Sequence, residues 1–348
     1  MDRFFSWLLV LVPVALISHF LETSQILVFF LAAAAIIPLA KFLGEATEEL
    51  ASRSGPALGG LLNATFGNAT ELIIAFFALK AGLIEVVKAS ITGSIIGNLL
   101  LVLGMSILVG GLRYKKQSFN QTAAMASASM LFLAVIALVV PTIFLLSSTD
   151  LSASVTKNLS LAVASLMFLT YVASLIFIFR THQHLYTEEV VKLKVVWSVK
   201  KSIIILTATT VTIAWLSEIL VNSIKPTLAH LGWTELFVGA VVVAIIGNAA
   251  EHTSAIVMAA KNRMDLSLQI AIGSATQIAM LVVPLLVFAG LILHQEMNLI
   301  FGTFELIAIV LSVIITNLVV QDGESNWLEG VQLMSAYGIL AVAFFLHP

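Results

Sequence analysis

Two glutamates of this chain stand inside long apolar runs, where a charge is expensive. Glu71 lies in GNATELIIAFF, from Gly67 to Phe77, and Glu251 in GNAAEHTSAIV, from Gly247 to Val257. A charge at the centre of a bilayer costs roughly 2.5–3.5 kcal/mol even on insertion scales. No Lys or Arg is expected at that depth to offset it. Asn68 and Glu71 are three residues apart, so on a helix they share one face, and Asn248 and Glu251 repeat the arrangement. Further along, Ser90, Ser94 and Asn98 form one stripe at steps of four, and Gln269, Gly273 and Gln277 form another with Ser274 beside it. Carboxylate, amide, hydroxyl and backbone carbonyl are all hard oxygen donors. They suit Ca²⁺, with Mn²⁺ and Mg²⁺ behind it, better than Zn²⁺ or Cu⁺. Two carboxylates match the charge of one divalent ion. Without the ion, a low dielectric leaves protons to neutralise them. A site that holds either a divalent cation or protons, but not both, has the logic of an antiporter.

Other readings of these residues stand beside that one. Polar side chains on small-residue helix faces also act as glue between helices, the alternative for Ser90, Asn98 and Gln269. His252 either tunes the proton affinity of Glu251 or is an interior histidine held by a hydrogen bond. Glu48 and Glu218, near span ends, are candidates for gating or proton access, against a role as interfacial charges. Glu45 and Glu49 read as solvated. DGESNWLEG, Asp322 to Gly330, lacks the ligand spacing of an EF-hand loop, and Trp327 reads as an interface anchor. Enzyme chemistry has little to stand on: there is no HExxH, no GxSxG and no pair of aspartates within a span. His252 and Ser254 are two apart on a helix and point to different sides. Nothing calls for an organic cofactor. A cation channel is a further alternative, one that would conduct without coupling to a proton gradient.

The elements that must hold these residues follow from composition. Of 348 residues, 60% are hydrophobic and 10% charged, against roughly 25% charged in soluble domains. The net charge of −2 gives no case for nucleic-acid binding. The absence of Cys removes disulfides, thiolate metal sites and cysteine nucleophiles. The expected fold class is an all-α polytopic membrane protein of eleven transmembrane helices, at 4–20, 26–50, 57–80, 83–111, 121–147, 158–180, 201–224, 233–260, 265–293, 300–319 and 330–347. The first run follows Met1-Asp2-Arg3 without a small-x-small cleavage site and reads as a retained helix. Turn signals at 54–56, 113–120, 147–150, 262–265 and 321–326 separate spans, and the one long loop is 181–200. On the side of the N-terminus the loops collect twelve basic residues: Arg3, Arg53, Arg113, Lys115, Lys116, Arg180, Lys192, Lys194, Lys200, Lys201, Lys261 and Arg263. The other side has Lys80, Lys88, Lys157 and Lys225. This bias predicts a cytoplasmic N-terminus and an outside C-terminus. The bilayer is the partner that the composition requires, and a homo-oligomer is compatible with it.

The two motifs belong to a longer repeat. Gly67-Asn68-Ala69-x-Glu71 matches Gly247-Asn248-Ala249-x-Glu251, and Gly93-Ser94 matches Gly273-Ser274, both at an offset of 180. Thr47-Glu48 against Ser217-Glu218 is a weaker echo at an offset of 170. The expected layout is an extra N-terminal helix (1–24), a five-helix repeat (25–180), a cytoplasmic linker (181–200) and a second five-helix repeat (201–348). Five is odd, so the second unit enters the membrane from the opposite side, as in many secondary transporters. The four motif segments then meet at the midplane. Gly59, Gly67, Gly93, Gly97, Gly247 and Gly273 interleave with the polar residues, as expected where backbones pack closely or a helix breaks.

GNATELI, GSIIGN, GNAAEH and DGESNW resemble the CAX family of Ca²⁺/H⁺ antiporters, within the wider cation/Ca²⁺ exchanger superfamily. The resemblance covers nearly the whole chain. It implies an eleven-helix fold with inverted repeats, Ca²⁺ held between Glu71 and Glu251, and export driven by inward H⁺. It also implies that Asn68, Ser94, Asn98, Asn248, Ser274 and Gln277 line the site. Na⁺/Ca²⁺ exchangers are less similar, because they carry a Pro-Glu pair where this chain has Thr70-Glu71 and Ala250-Glu251. Sodium coupling and Mn²⁺ selectivity remain the alternatives. Many eukaryotic members have a very acidic segment between the halves; the linker here has Glu188 and Glu189 among several lysines. The compact chain points to a prokaryotic plasma membrane.

Overall fold

The computed structural model of the chain describes residues 2–148, 152–182 and 196–347. Most of the expected linker, with Glu188, Glu189, Lys192 and Lys194, lies outside them, as does the end of the turn at 147–150. The described chain is nearly all helix: α1 (Phe4–Phe20), α2 (Gln25–Ala51), α3 (Gly55–Phe66), α4 (Ala69–Lys80), α5 (Ile84–Tyr114), α6 (Gln121–Ser147), α7 (Ala153–Thr181), α8 (Val199–Leu231), α9 (Glu235–Gly247), α10 (Ala249–Ala260), α11 (Met264–Ile292), α12 (Thr303–Val320) and α13 (Trp327–Leu346). Among the described residues eight helices are long and apolar enough to cross a membrane, or nine if the bent pair α9–α10 is one span. This makes the chain an integral membrane protein. Two short strands, β1 (Lys116–Ser118) and β2 (Glu324–Asn326), pair antiparallel and depart from the expected all-α fold. They lie in loops that the sequence marks only as turns.

Burial sorts the helices. In α5, 72% of the apolar window is buried, against 17% in α7 and in α13. α5 therefore runs through the middle of the bundle, while α7 and α13 lie at its periphery. α11 is next most enclosed. The two helices with the polar stripes are thus the two at the centre.

Local geometry repeats at the same offset as the motifs. After α4, Gly82 is left-handed (φ 73°), Gly82 N–H donates to Leu79 and Leu83 N–H to Ala78. After α10, Asn262 is left-handed (φ 59°), Asn262 N–H donates to Ala259 and Arg263 N–H to Met258. Each donor and each acceptor differs by 180, and the pattern closes a helix C-terminus in both places. α5 widens into a π-helical turn over Gly97–Val102, and α11 does so over Ile278–Val282.

Candidate functional site

Both glutamate motifs fall at helix breaks within the expected spans at 57–80 and 233–260. α3 ends at Phe66 and α4 begins at Ala69, while α9 and α10 meet at a 60° bend. Asn68 (φ −98°, ψ 25°) and Asn248 (φ −90°, ψ 9°) leave helical geometry at the break, each as N-cap of the helix that follows. Glu71 and Glu251 are then in the first turn of α4 and α10, where helix N–H groups favour negative charge.

The neutral candidate residues converge into one hydrogen-bond network. Ser274 Oγ donates to Asn68 Oδ1 at 2.8 Å, and Asn248 Nδ2 donates to Ser94 Oγ at 2.8 Å. The bonds are crosswise: the asparagine of each break pairs with the serine of the other half. Two residues without a repeat counterpart complete the network. Asn98 Nδ2 donates to Asn248 Oδ1 at 2.9 Å and to Ser274 Oγ at 3.0 Å. Asn68 Nδ2 donates to Gln277 Oε1 at 2.6 Å. At an offset of 180, Asn98 corresponds to Ile278 and Gln277 to Gly97. Asn68, Ser94, Asn98, Asn248 and Ser274 are buried; Gln277 is half-buried.

The carboxylates stand apart from this network. Glu71 is buried, and neither of its oxygens has a hydrogen-bond partner. Glu251 is half-buried, and its Oε2 also lacks a partner. The two lie near enough for their charges to interact. Buried polar atoms are nearly always satisfied, so three orphaned carboxylate oxygens call for a cation or protons. No group of three His, Asp or Glu among the described residues is placed to hold a metal ion. Two carboxylates beside amide and hydroxyl oxygens are the candidate donors here, a set of hard oxygens only.

The glycines divide. A Cβ on Gly247 would fall 2.9 Å from Glu71 Cγ, and one on Gly93 would fall 1.9 Å from the Ala240 carbonyl oxygen. Glycine at 247 thus lets the carboxylate of one half reach the break of the other. A Cβ on Gly67 would meet the Asn63 carbonyl oxygen at 2.7 Å. Gly97 and Gly273 are not close-packed, since a Cβ on either meets nothing within 4 Å; Gly97 instead opens the π-helical turn of α5.

Several other expectations need revision. Gln269 is exposed and lines a cleft with Ser127 and Asp265, away from the network, because its stripe turns about the axis of α11 before reaching Gln277. Ser90 Oγ donates to the Val87 carbonyl of its own helix, so its hydrogen bond joins neither the network nor another helix. Glu45 and Glu49 are not simply solvated: Glu45 pairs with Lys41 at 2.9 Å, and Glu49 accepts the N–H groups of Val196 and Trp197. His252 is half-buried beside Glu251. Glu48 is exposed and within electrostatic reach of Glu251, whereas Glu218 pairs with Lys80 at 3.7 Å.

Sequence reasoning missed a second polar group. Glu305, in the first turn of α12, is buried; it accepts Gly302 N–H at 2.8 Å and Thr92 Oγ1–H at 3.1 Å. Lys88, counted among the charges at the outer end of the span 83–111, is buried on α5 and donates to Asn298 Oδ1 at 3.0 Å. The available signal was spacing: Lys88 and Thr92 are one turn apart on one face of a helix.

Comparison with known proteins gives a consistent result. The pattern of the family described as sodium/calcium exchanger protein matches residues 24–180 and 201–346. A Ca²⁺/H⁺ antiporter of Aphanothece halophytica is 47% identical, over 100% of this chain and 97% of its own length. The Ca²⁺/H⁺ antiporter ChaA of Bacillus subtilis is 45% identical over 96% of each chain. The solved structure of native YfkE superposes with a TM-score of 0.87 at 42% identity, covering 98% of this chain and 99% of that one.

Proposed function

The chain belongs to the sodium/calcium exchanger protein family, and from that premise we propose that it works by alternating access through one site between Glu71 and Glu251. It exchanges Ca²⁺ for H⁺ across a membrane, as its relatives' names indicate, and its similarity is to transporters rather than enzymes. The observation that carries the site is the set of orphaned oxygens on Glu71 and Glu251 beside a fully neutral network.

The chemistry follows from charge. Ca²⁺, as substrate, needs both carboxylates ionised; Asn68, Asn248, Ser94, Ser274, Asn98 and Gln277 add neutral oxygens around it. When Ca²⁺ leaves, two protons restore neutrality. Either loading removes the cost of a bare charge at membrane depth, and half-loading does not. Exchange is thereby favoured over leak. Lower pH on the Ca²⁺-loading side weakens Ca²⁺ capture, because a protonated carboxyl is a poor ligand.

The layout is eleven spans in two inverted five-helix repeats, with α1 extra, α3–α4 and α9–α10 each one broken span, and the linker between the units cytoplasmic. Contacts between loops support it, since each joins loops that this layout puts on one side. Toward the cytoplasm, Gln117 Nε2 donates to the Ala259 carbonyl and to Asn262 Oδ1, and β1 pairs with β2. Toward the outside, Lys157 pairs with Glu296, and Lys88 reaches Asn298. The N-terminus is then cytoplasmic and the C-terminus outside, by the bias of basic loops.

Everted membrane vesicles with an imposed pH gradient test this reading. Ca²⁺ uptake should follow the gradient, vanish when an uncoupler collapses it, and ignore Na⁺. Uptake that survives collapse, or that follows a Na⁺ gradient, overturns the coupling.

A further inference from the structure

We propose that the face of α11 formed by Leu266, Gln269, Ile270 and Gly273 is the surface onto which α3 docks when the cytoplasmic side of the site closes. The proposal rests on the alternating-access reading and names the contact that one of its states requires.

The argument starts from a contact already made in the other half. α9 lies directly on α5. A Cβ on Gly93 would fall 1.9 Å from the Ala240 carbonyl oxygen, and a Cβ on Gly239 would fall 2.6 Å from Ala89 Cβ and 2.7 Å from the Val86 carbonyl oxygen. Two helices approach backbone to backbone through glycine, and the face of α5 that they cover is fully buried at Val86, Ala89 and Ser90.

The repeat carries every participant into the other half at an offset of 180: Gly93 to Gly273, Gly239 to Gly59, Ala240 to Gly60, Ala89 to Gln269, Val86 to Leu266 and Ser90 to Ile270. The glycines are present there, but the contact is not. A Cβ on Gly273 meets nothing within 4 Å, and one on Gly59 finds its nearest atoms in Ala51 of α2 rather than in α11. Leu266, Ile270 and Gly273 are half-exposed where their counterparts are buried.

Gln269 is an independent sign that the face is unfinished. It is an exposed amide within a membrane-spanning helix, and it makes no hydrogen bond among the described residues. A polar side chain at that depth is costly against lipid and is normally turned toward protein or water. At present it lines an open cleft with Ser127 and Asp265. The exposed backbone of a docked glycine pair supplies hydrogen-bond partners after closure. Glycine at 59 and 60 allows that approach, and Leu58 and Leu61, both exposed on α3, become covered with it. The structure therefore has its outer contact closed and its inner contact open, and the second state exchanges the two.

The chain has no Cys, so a paired substitution reports docking directly. Gly59→Cys with Gln269→Cys in proteoliposomes should form a disulfide under oxidant. The crosslink should cut Ca²⁺/H⁺ exchange at least tenfold, and a reductant should restore it. A second variant needs no new contact to form. Gly273→Leu points into open space in the present structure, so it should fold and melt within a few degrees of wild type. It should nevertheless lower exchange at least tenfold, because the added side chain blocks α3. Absence of the disulfide at every pH and Ca²⁺ concentration tried, or wild-type exchange by a folded Gly273→Leu protein, overturns the proposal and leaves the α11 face to lipid and water. Failure of the unsubstituted protein to exchange Ca²⁺ for H⁺ would instead count against the transport reading. Disulfide formation decides the docking in either case.

Discussion

Glu71 and Glu251 hold the same place in two copies of one motif, and the structure treats them differently. Glu71 is buried, has both oxygens without partners, and lies against Gly247 of the opposite half. Glu251 is half-buried, has one such oxygen, is followed by His252, and has Glu48 within electrostatic reach. Sequence identity of the motif makes the two carboxylates chemically alike. The difference comes from the packing around them, tight between α9 and α5 and open between α3 and α11. One carboxylate is buried in protein and the other is only half-buried. The comparison teaches that two copies of one motif acquire different surroundings through asymmetric helix contacts.

The hardest test of that comparison is to remove each charge in turn. Glu71→Gln and Glu251→Gln should each lower Ca²⁺ uptake into vesicles by roughly a hundredfold or more, since one remaining carboxylate cannot neutralise a divalent ion at membrane depth. Both variants should still insert and elute as folded protein, because Gln keeps the shape. Near-wild-type uptake by either folded variant would make the pair unequal in kind.

Next in size is the contact that only one carboxylate makes. Gly247→Ala sets a methyl group 2.9 Å from Glu71 Cγ, which displaces the carboxyl group and should raise the Ca²⁺ concentration for half-maximal uptake about tenfold, a change of about 1.4 kcal/mol. Unchanged apparent affinity in a titration with ⁴⁵Ca²⁺ would show that Glu71 moves aside freely.

A smaller effect is expected from the neighbour that only Glu251 has. His252→Leu copies Leu72 of the first motif and should slow exchange a few-fold, within the range of a single assisted proton transfer. The pH–rate profile should change with it. A profile identical to wild type would assign His252 to packing alone.

The smallest contrast concerns the outlying acids. Glu48→Gln should slow exchange several-fold, because Glu48 is exposed and within electrostatic reach of Glu251. Glu218→Gln should change exchange and stability little, since its pairing with Lys80 is about half exposed and exposed pairs contribute about 0–1 kcal/mol. Equal effects in a rate assay would break the asymmetry drawn here. Cys at 48 and 218, probed with an impermeant thiol reagent, should label from opposite faces; labelling from one face would overturn the inverted layout.

Much of this was legible in the residues. Apolar runs identify membrane helices because the bilayer demands internal backbone hydrogen bonding and length, and both are local properties. The repeat was legible because Gly-Asn-Ala-x-Glu and Gly-Ser recur at one offset. The oxygen-only donor set followed from residue type. The buried places of Lys88 and Glu305 were not legible: charges near a span end read as solvated, and only the fold brings Thr92 of α5 beside Glu305 of α12. Gln269 was misread for a related reason, since a step of four drifts around a helix and the neighbour that it faces changes along the axis.

The sequence by itself determined that this is a membrane protein with a motif that recurs at one offset, and that two glutamates stand within its apolar runs. Only the tertiary structure decided that each asparagine bonds the serine of the other half, that Gly247 makes room for Glu71, and that the glycines of α5 are covered while Gly273 of α11 is not. The reason is physical. Hydrophobicity, charge cost and ligand chemistry belong to single residues and short windows. Which helix face meets which is set by close packing between segments about 150 to 210 residues apart, and identical motifs meet different neighbours once the two halves take different positions.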